Sequence, residues 1–375
     1  MPDARPPAAV TGVAAVSALG PDAETLLAGA LAGTPAFAPV RRFDVAGRRV
    51  QVAATAPGHP DLAGELAGVV DRACAAAGLD ADARRDIPLL LAVHAHPAMA
   101  RAGDRAPLTA AAFAHALAVR CGLAGITRAY TSACVAASTA VADAAAMLAL
   151  GHADRVIVAG GYLVDPDQFA VFDAGRALAR DGQVRPFSAG RGGILLGDGV
   201  AAVVLETPAA AARRAAPVLA HVAGWGRAGD AFHVCQPRPD AAVPARAIAA
   251  ALARAGVDAG AVGYVNAHGS GTAASDAAEA AALRAALGDV AATVPVSSTK
   301  SVHGQALEAS GLLELVVTVL ALRAGALPVN AGYRDRDPDC PLNVVTEPRA
   351  ARPDYALSLN SAFGGANTAL LVRAA

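Results

Sequence analysis

The stretch Ala129-Tyr-Thr-Ser-Ala-Cys-Val-Ala-Ala-Ser-Thr139, running on to Gly151, reads as a short strand, a tight turn at Ser132 and Ala133, and a helix of about 16 residues beginning near Cys134. The helical part is nearly apolar all round, the pattern of a helix buried on every side. A thiol at such a helix start faces unpaired N–H groups and the positive end of the macrodipole, and both favour the thiolate. Free cysteine is more often a small core side chain. Taken alone, this cysteine leaves both readings open.

Working outward, the chain alternates strand and helix patterns. Upstream lie a β-leaning run at 8–16, a helix at 23–32, an amphipathic helix at 63–78, an apolar strand at 87–93 and a helix at 108–122. Downstream come a strand at 155–159, a polar segment from 165 to 189 and a buried strand at 199–205. After 208–217 the pattern begins again. Strands are expected at 218–222, 261–267 and 293–297, and helices at 243–256 and 277–287. A turn at 298–304 leads into a second buried helix at 306–324, and strands near 342–345, 356–359 and 368–372 close the chain. Each half thus holds a strand, a tight turn and a buried Ala/Leu-rich helix. The order implies two similar halves, 1–210 and 211–375, in one α/β unit with mostly parallel, doubly covered sheets.

Composition narrows the function classes. The 375 residues are 55% hydrophobic and only 4% aromatic, with a net charge of −1. There is no basic field for nucleic acid. Asp143 and Glu314 interrupt the two longest apolar helices well short of the ~20 residues needed to span a bilayer, so no membrane segment is expected. The N-terminus carries no signal-like pattern. Five scattered cysteines form no C-x-x-C pair and suggest neither disulfides nor zinc. A cytoplasmic protein is the expectation.

Three further segments carry chemistry. Asn266-Ala-His-Gly-Ser-Gly-Thr272 follows a strand end, and its glycines let a ligand approach a histidine suited to donate to a carbonyl. Ser298-Thr-Lys-Ser-Val-His-Gly-Gln305 is a polar turn ahead of the second buried helix, where Lys300 can pair with Glu314. Ser361-Ala-Phe-Gly-Gly-Ala-Asn367 is a glycine-rich turn after a strand.

In this order the segments resemble the β-ketoacyl-acyl carrier protein synthases, elongating condensing enzymes of the thiolase superfamily. The likeness covers nearly the whole chain. Val10 to Gly20 looks like the family's opening strand and turn, and Thr131-Ser-Ala-Cys134 like its nucleophile motif. Pro186-Phe187, Arg191 and Gly197-Asp-Gly199 echo its central segment. Asn266 to Thr272 with Asp276 and Glu279 is similar to its first histidine motif. Lys300-Ser301 with Gly304, Gly311 and Glu314 matches the lysine–histidine motif, and Phe363-Gly-Gly-Ala-Asn367 the gating loop. The resemblance implies a thiolase-like fold, with duplicated βαβαβαββ halves forming a five-layered αβαβα core. It implies Cys134 as acyl-accepting nucleophile, the N–H groups of Cys134 and Phe363 as oxyanion hole, and His268 as donor to the extender carbonyl. Ser270, Thr272, Gly364 and Gly365 would contact substrate, Lys300 would act with Glu314 in support, and Phe363 would gate the acyl pocket. An acyl carrier protein and a homodimer (or heterodimer) are the implied partners. No cofactor is expected beyond the substrates' pantetheine arm.

The departures are informative. Gln305 stands where the family has its second histidine, and glutamine cannot exchange a proton near neutral pH. His303 lies two positions earlier and is expected to point elsewhere. The glycine-rich segment before the nucleophile is here Val93-His-Ala-His-Pro-Ala-Met99, and Ser361 replaces an aromatic. His94 and His96 have no nearby third ligand, so they read as loop or pocket wall rather than as a metal site. Three functions remain: a decarboxylating condensing enzyme, a non-decarboxylating acyltransferase suggested by Gln305, and a non-catalytic partner subunit, which Cys134 argues against. A thiolase is disfavoured because Cys340, the late cysteine, lies in a loop-like stretch.

Overall fold

The computed structural model describes residues 6–94 and 109–375; His96 and the start expected for the 108–122 helix lie outside them. Eleven strands form one continuous sheet. In chain order they are β1 (Ala8–Ser17), β2 (Leu89–Val93), β3 (Thr127–Tyr130), β4 (Arg155–Tyr162), β5 (Gly199–Glu206) and β6 (Ala220–Gly229). Then follow β7 (Val262–Asn266), β8 (Pro295–Ser297), β9 (Asn343–Val344), β10 (Tyr355–Ser361) and β11 (Ala366–Ala374). Their spatial order is β9-β8-β7-β10-β11-β6-β1-β5-β4-β2-β3. The first-half strands β3, β2, β4, β5 and β1 occupy one side and the second-half strands the other. They meet only where Ala8 to Val10 of β1 pair with Ala220 to Val222 of β6.

Five layers result. The Leu62–Ala76 and Ala110–Arg120 helices cover the outer face of the first half-sheet, and Ala242–Ala255 with Ala273–Leu287 cover that of the second. Between the half-sheets lie the two helices expected to be buried, Ala136–Ala149 and Ser310–Ala324. Alanine lets them sit close, and Gly311 lies at a close approach: a Cβ there would lie 2.9 Å from Ser138 N and from Asn360 Oδ1. Each half presents the same device, a turn feeding a buried helix, and the two turns face one another.

The expected mostly parallel pairing is corrected. β2, β3 and β4 are parallel, as are β7, β8, β9 and β10, but β5 runs antiparallel to both β4 and β1, and β11 to both β10 and β6. Burial on both faces gives an apolar run whatever the strand's direction, so the run carries no sign of direction. Two helices appear in segments to which the sequence reading assigned no element, Pro166–Ala174 and Pro208–Arg213. Both start with a capping side chain followed by proline: Asp165 accepts from the N–H groups of Asp167 and Gln168, and Thr207 from that of Ala210. Among the described residues, no helix is long and apolar enough to cross a membrane.

Candidate active site

Cys134 lies in a 3₁₀ turn, Ala133–Val135, that opens the Ala136–Ala149 helix. Ala133 holds φ at 49°, a strained value for a residue with a Cβ. Facing it is the turn Leu307–Ala309 at the head of the other central helix, where Leu307 has φ 42°. The two strained turns pack together under the floor of a cavity of about 300 Å³ lined by Cys134, His268, Gln305, Ser270, Thr272 and Phe363. Six of the expected site residues therefore converge from four separate segments of the sequence.

Lys300 and Glu314 stand behind this wall. The Lys300 ammonium ion-pairs with the Glu314 carboxylate and donates to the backbone carbonyl of His268 at 2.8 Å. Both side chains are fully buried. The loop carrying His268 is fixed by two more buried carboxylates. Glu279 accepts the N–H groups of His268 and Gly269, each at 2.7 Å, and Asp276 accepts those of Gly271 and Phe187. Burial pushes Asp276 up to about 6 and Glu279 up to about 7. Arg191 completes the clamp by pairing with Asp276 and Asp337. The central segment's Asp198 fastens Arg42 and the N–H groups of Val164 and Ala56. These motif residues hold the scaffold and do not line the cavity.

The His268 imidazole is buried, and its Nδ1 has no partner among the described residues. Burial, then the Lys300 charge, hold its pKa well below the ordinary histidine value, so at neutral pH it is uncharged. Gln305 aims its Nε2 at Cys134 Sγ, 3.2 Å away. The amide orientation is fixed from behind, because Ser310 donates its hydroxyl to Gln305 Oε1 at 2.7 Å while accepting from Ala306 N–H. The glutamine is therefore a hydrogen-bond donor to the sulfur.

The thiolate expectation needs correction. Burial, reinforced by the negative charge of Glu308 and only partly offset by Lys300, pushes the Cys134 thiol up to about 12. A single turn of N–H groups does not outweigh the desolvation of a charged sulfur. The resting cysteine is a thiol.

The loop 361–367 forms the rim. Phe363 is 52% exposed and stacks on Phe172, ring centroids 6.0 Å apart. Gly365 (φ 79°) also lines the cavity, and a Cβ there would run into Asp230. Gly364 lies outside the cavity lining. The N–H groups of Cys134 and Phe363 donate to no backbone carbonyl among the described residues. Ser361 bonds Asn367 within the loop.

His303 points away, as expected from its spacing. Its Nδ1 meets Gly304 O at 2.8 Å and its Nε2 meets Thr299 Oγ1 at 3.0 Å. Burial lowers its pKa to about 3. Between that value and the ordinary 6.5 the unfolded chain binds a proton that the folded chain refuses. This contribution to stability is therefore present above pH 6.5 and is lost as pH falls. Relative to wild type, His303→Gln should lose stability less steeply below pH 6.5, by up to ~1.4 kcal/mol per pH unit. Urea unfolding at pH 5, 6 and 7 checks the difference in slope.

Sequence reading missed Glu308, Ser310 and Phe172. Glu308 is 2% exposed, and its Oε1 meets His94 Nδ1 at 2.9 Å. Its signal was a second lone charge in an apolar run that also holds Glu314. Cys340 is buried outside the cavity. No group of three His, Cys, Asp or Glu among the described residues is placed to hold a metal ion.

Comparison with known proteins shows the family. Residues 89–211 match the model for the β-ketoacyl synthase N-terminal domain, and residues 219–334 that for the C-terminal domain. The chain belongs to the β-ketoacyl synthase family. Nodulation protein E of Rhizobium meliloti is 42% identical over 256 residues, 66% of this chain and 62% of that protein. The 3-oxoacyl-acyl-carrier-protein synthase 2 of Synechocystis sp. is 36% identical over 260 residues, 68% of this chain and 62% of that protein. The chain thus matches less than two thirds of the length of these curated relatives. Among solved structures, the ishigamide ketosynthase/chain length factor superposes with a TM-score of 0.90 at 29% identity, covering 99% of this chain and 100% of that one. The fold of this β-ketoacyl synthase family member is thiolase-like.

Proposed function

We propose that the protein is a condensing enzyme that loads an acyl group from an acyl carrier protein onto Cys134 and extends it with a malonyl-derived unit. In loading, Cys134 Sγ attacks the thioester carbon while the N–H groups of Cys134 and Phe363 receive the oxygen's developing charge. In extension, loss of carbon dioxide leaves an enolate whose oxygen needs donors, not a base. His268, uncharged and with its loop held by Lys300 and Glu279, is one donor. Gln305 is the other, freed from the sulfur once Cys134 is acylated. The observation that carries this reading is the fixed Gln305 amide, whose N–H points into the site where the family's second histidine stands. Ser270 and Thr272 line the way in for the pantetheine arm. Two copies of the chain, organised as halves 1–210 and 211–375, complete the proposed assembly.

A second reading rests on the same residue. Glutamine cannot take up or release a proton, so Cys134 could pass its acyl group to an amine, alcohol or thiol without decarboxylation. Acyl-loaded protein mixed with malonyl-carrier separates the two. Carbon dioxide release with a product two carbons longer supports the condensing reading. A stable acyl-enzyme that releases no carbon dioxide, and that discharges onto small nucleophiles, overturns it in favour of transfer.

A further inference from the structure

In the proposed reaction the Cys134 thiol must lose a proton during loading, and the groups facing it in the cavity cannot take one. Gln305 presents N–H, and its oxygen is held by Ser310. His268 is kept neutral beside the Lys300 ammonium. Glu308, on the turn packed against the Cys134 turn, is different. It is 2% exposed, its Oε1 is bonded to His94 Nδ1, and its Oε2 is buried with no hydrogen-bond partner among the described residues. An unpaired carboxylate oxygen held out of water costs stability, and its retention points to a use. Of the surrounding charges, that of Glu308 acts most strongly on the Cys134 thiol.

His94 links this carboxylate to the outside. Its side chain is 38% exposed and lines a second cavity of about 420 Å³, separate from the one above Cys134. Its Nε2 lies 3.0 Å from the Gln168 amide nitrogen. With the amide N–H donating to Nε2, the ring's single proton sits on Nδ1 and points at Glu308. If the amide turns over, its oxygen accepts from Nε2–H, so the same neighbours suit the doubly protonated ring. The Glu308 hydrogen bond holds the His94 pKa above its ordinary value; Asp165 adds to this and burial opposes it. Among the described residues, the other titratable group under the influence of Glu308 is the Tyr162 phenol, which burial keeps protonated and which is no competing acceptor.

We propose that Glu308 is the proton acceptor for the Cys134 thiol and that His94 carries the proton to and from solvent. This rests on the condensing reading. Oε2 and Sγ share no hydrogen bond at rest, so the transfer runs through one bridging water. During loading the S–H bond breaks as the new S–acyl bond forms, and the proton passes to Glu308. The old thioester C–S bond breaks with its electron pair on the pantetheine sulfur, which takes a proton from water. During condensation the enolate attacks the acyl–Cys134 carbon, Sγ leaves as thiolate, and the proton returns to it along the same path.

The test compares wild type with Glu308→Gln, Glu308→Asp and His94→Gln in the full chain. Acyl transfer from an acyl-carrier thioester is followed by intact-protein mass, with iodoacetamide alkylation of Cys134 in parallel. Wild-type loading establishes the underlying reading; if wild type takes no acyl group, that reading fails, and this one with it. Given loading, Glu308→Gln should slow it about 100-fold or more. The same variant should alkylate faster, because removing the negative charge lowers the thiol pKa. Loading and alkylation that rise together would mean Glu308 is only an electrostatic brake, and unchanged loading would mean it is idle; either overturns the proposal. Where Glu308→Gln does not fold, as judged by thermal melting, Glu308→Asp carries the test and should load at a reduced rate, wild-type loading overturning the proposal. His94→Gln keeps a donor to Glu308 but carries no proton, and should load about tenfold more slowly at pH 7. Wild-type loading by this variant removes His94 from the path.

Discussion

Cys134→Ala should abolish acyl loading, by at least ~1000-fold, while leaving the fold intact. The substitution removes one buried sulfur atom and leaves the Gln305 N–H without its acceptor, which together cost about 1 kcal/mol. Neither Gln305 nor His268 replaces the nucleophile. Gln305 is an amide, and His268 sits on the loop that Lys300 and Glu279 fix. Stopped-flow or quenched mass measurements of adduct formation, with a thermal melt to establish folding, check this result.

Lys300→Met should have the largest effect on stability. It leaves the Glu314 carboxylate, itself 0% exposed, without its counter-charge. Removing one partner of a buried pair typically costs about 3–5 kcal/mol. Burial already raises the Glu314 pKa and Lys300 offsets this, so removing the lysine raises it further. The carboxyl then takes a proton more readily, and the loss of stability should shrink as pH falls. Lys300→Met with Glu314→Gln should recover part of the loss at pH 7. The single variant should also lose activity, since the His268 carbonyl gives up the ammonium that holds it. Denaturant unfolding of the two variants at pH 5 and pH 8 tests both the size and the sign.

Much of the architecture was legible from local chemistry. The helix at 23–32 coincides with the observed Ala23–Ala32, bounded by the Asp22 cap and by Gly33 in a left-handed conformation. The two buried helices were readable because polar residues are nearly absent around their circumference, and that absence requires a central layer. The direction of β5 and β11 was not readable, because side chains alternate identically in either sense. The Pro166–Ala174 helix hid in a polar stretch, although its Asp–Pro start was a helix signal.

At the site, the sequence could name residues more easily than relations. Gln305 stood out as a departure, but its role as a donor depends on Ser310, which fixes the amide from five positions away. The Cys134 pKa was misjudged because a sequence reveals a helix start and not the depth at which it is buried. Glu308 was passed over because its partner His94 lies 214 positions away. A lone charge in an apolar run signals such a partner without identifying it.

The most direct test of the account is where the acyl group goes. The protein has five cysteines, of which Cys235 is exposed and stands on the wall of the same cavity as Cys134. Full-length protein would be mixed with an acyl-carrier thioester, quenched, digested and mapped by mass. The account predicts one acyl group per chain, on the peptide holding Cys134, and none on Cys235. Acylation at Cys235, or at no cysteine, would contradict it.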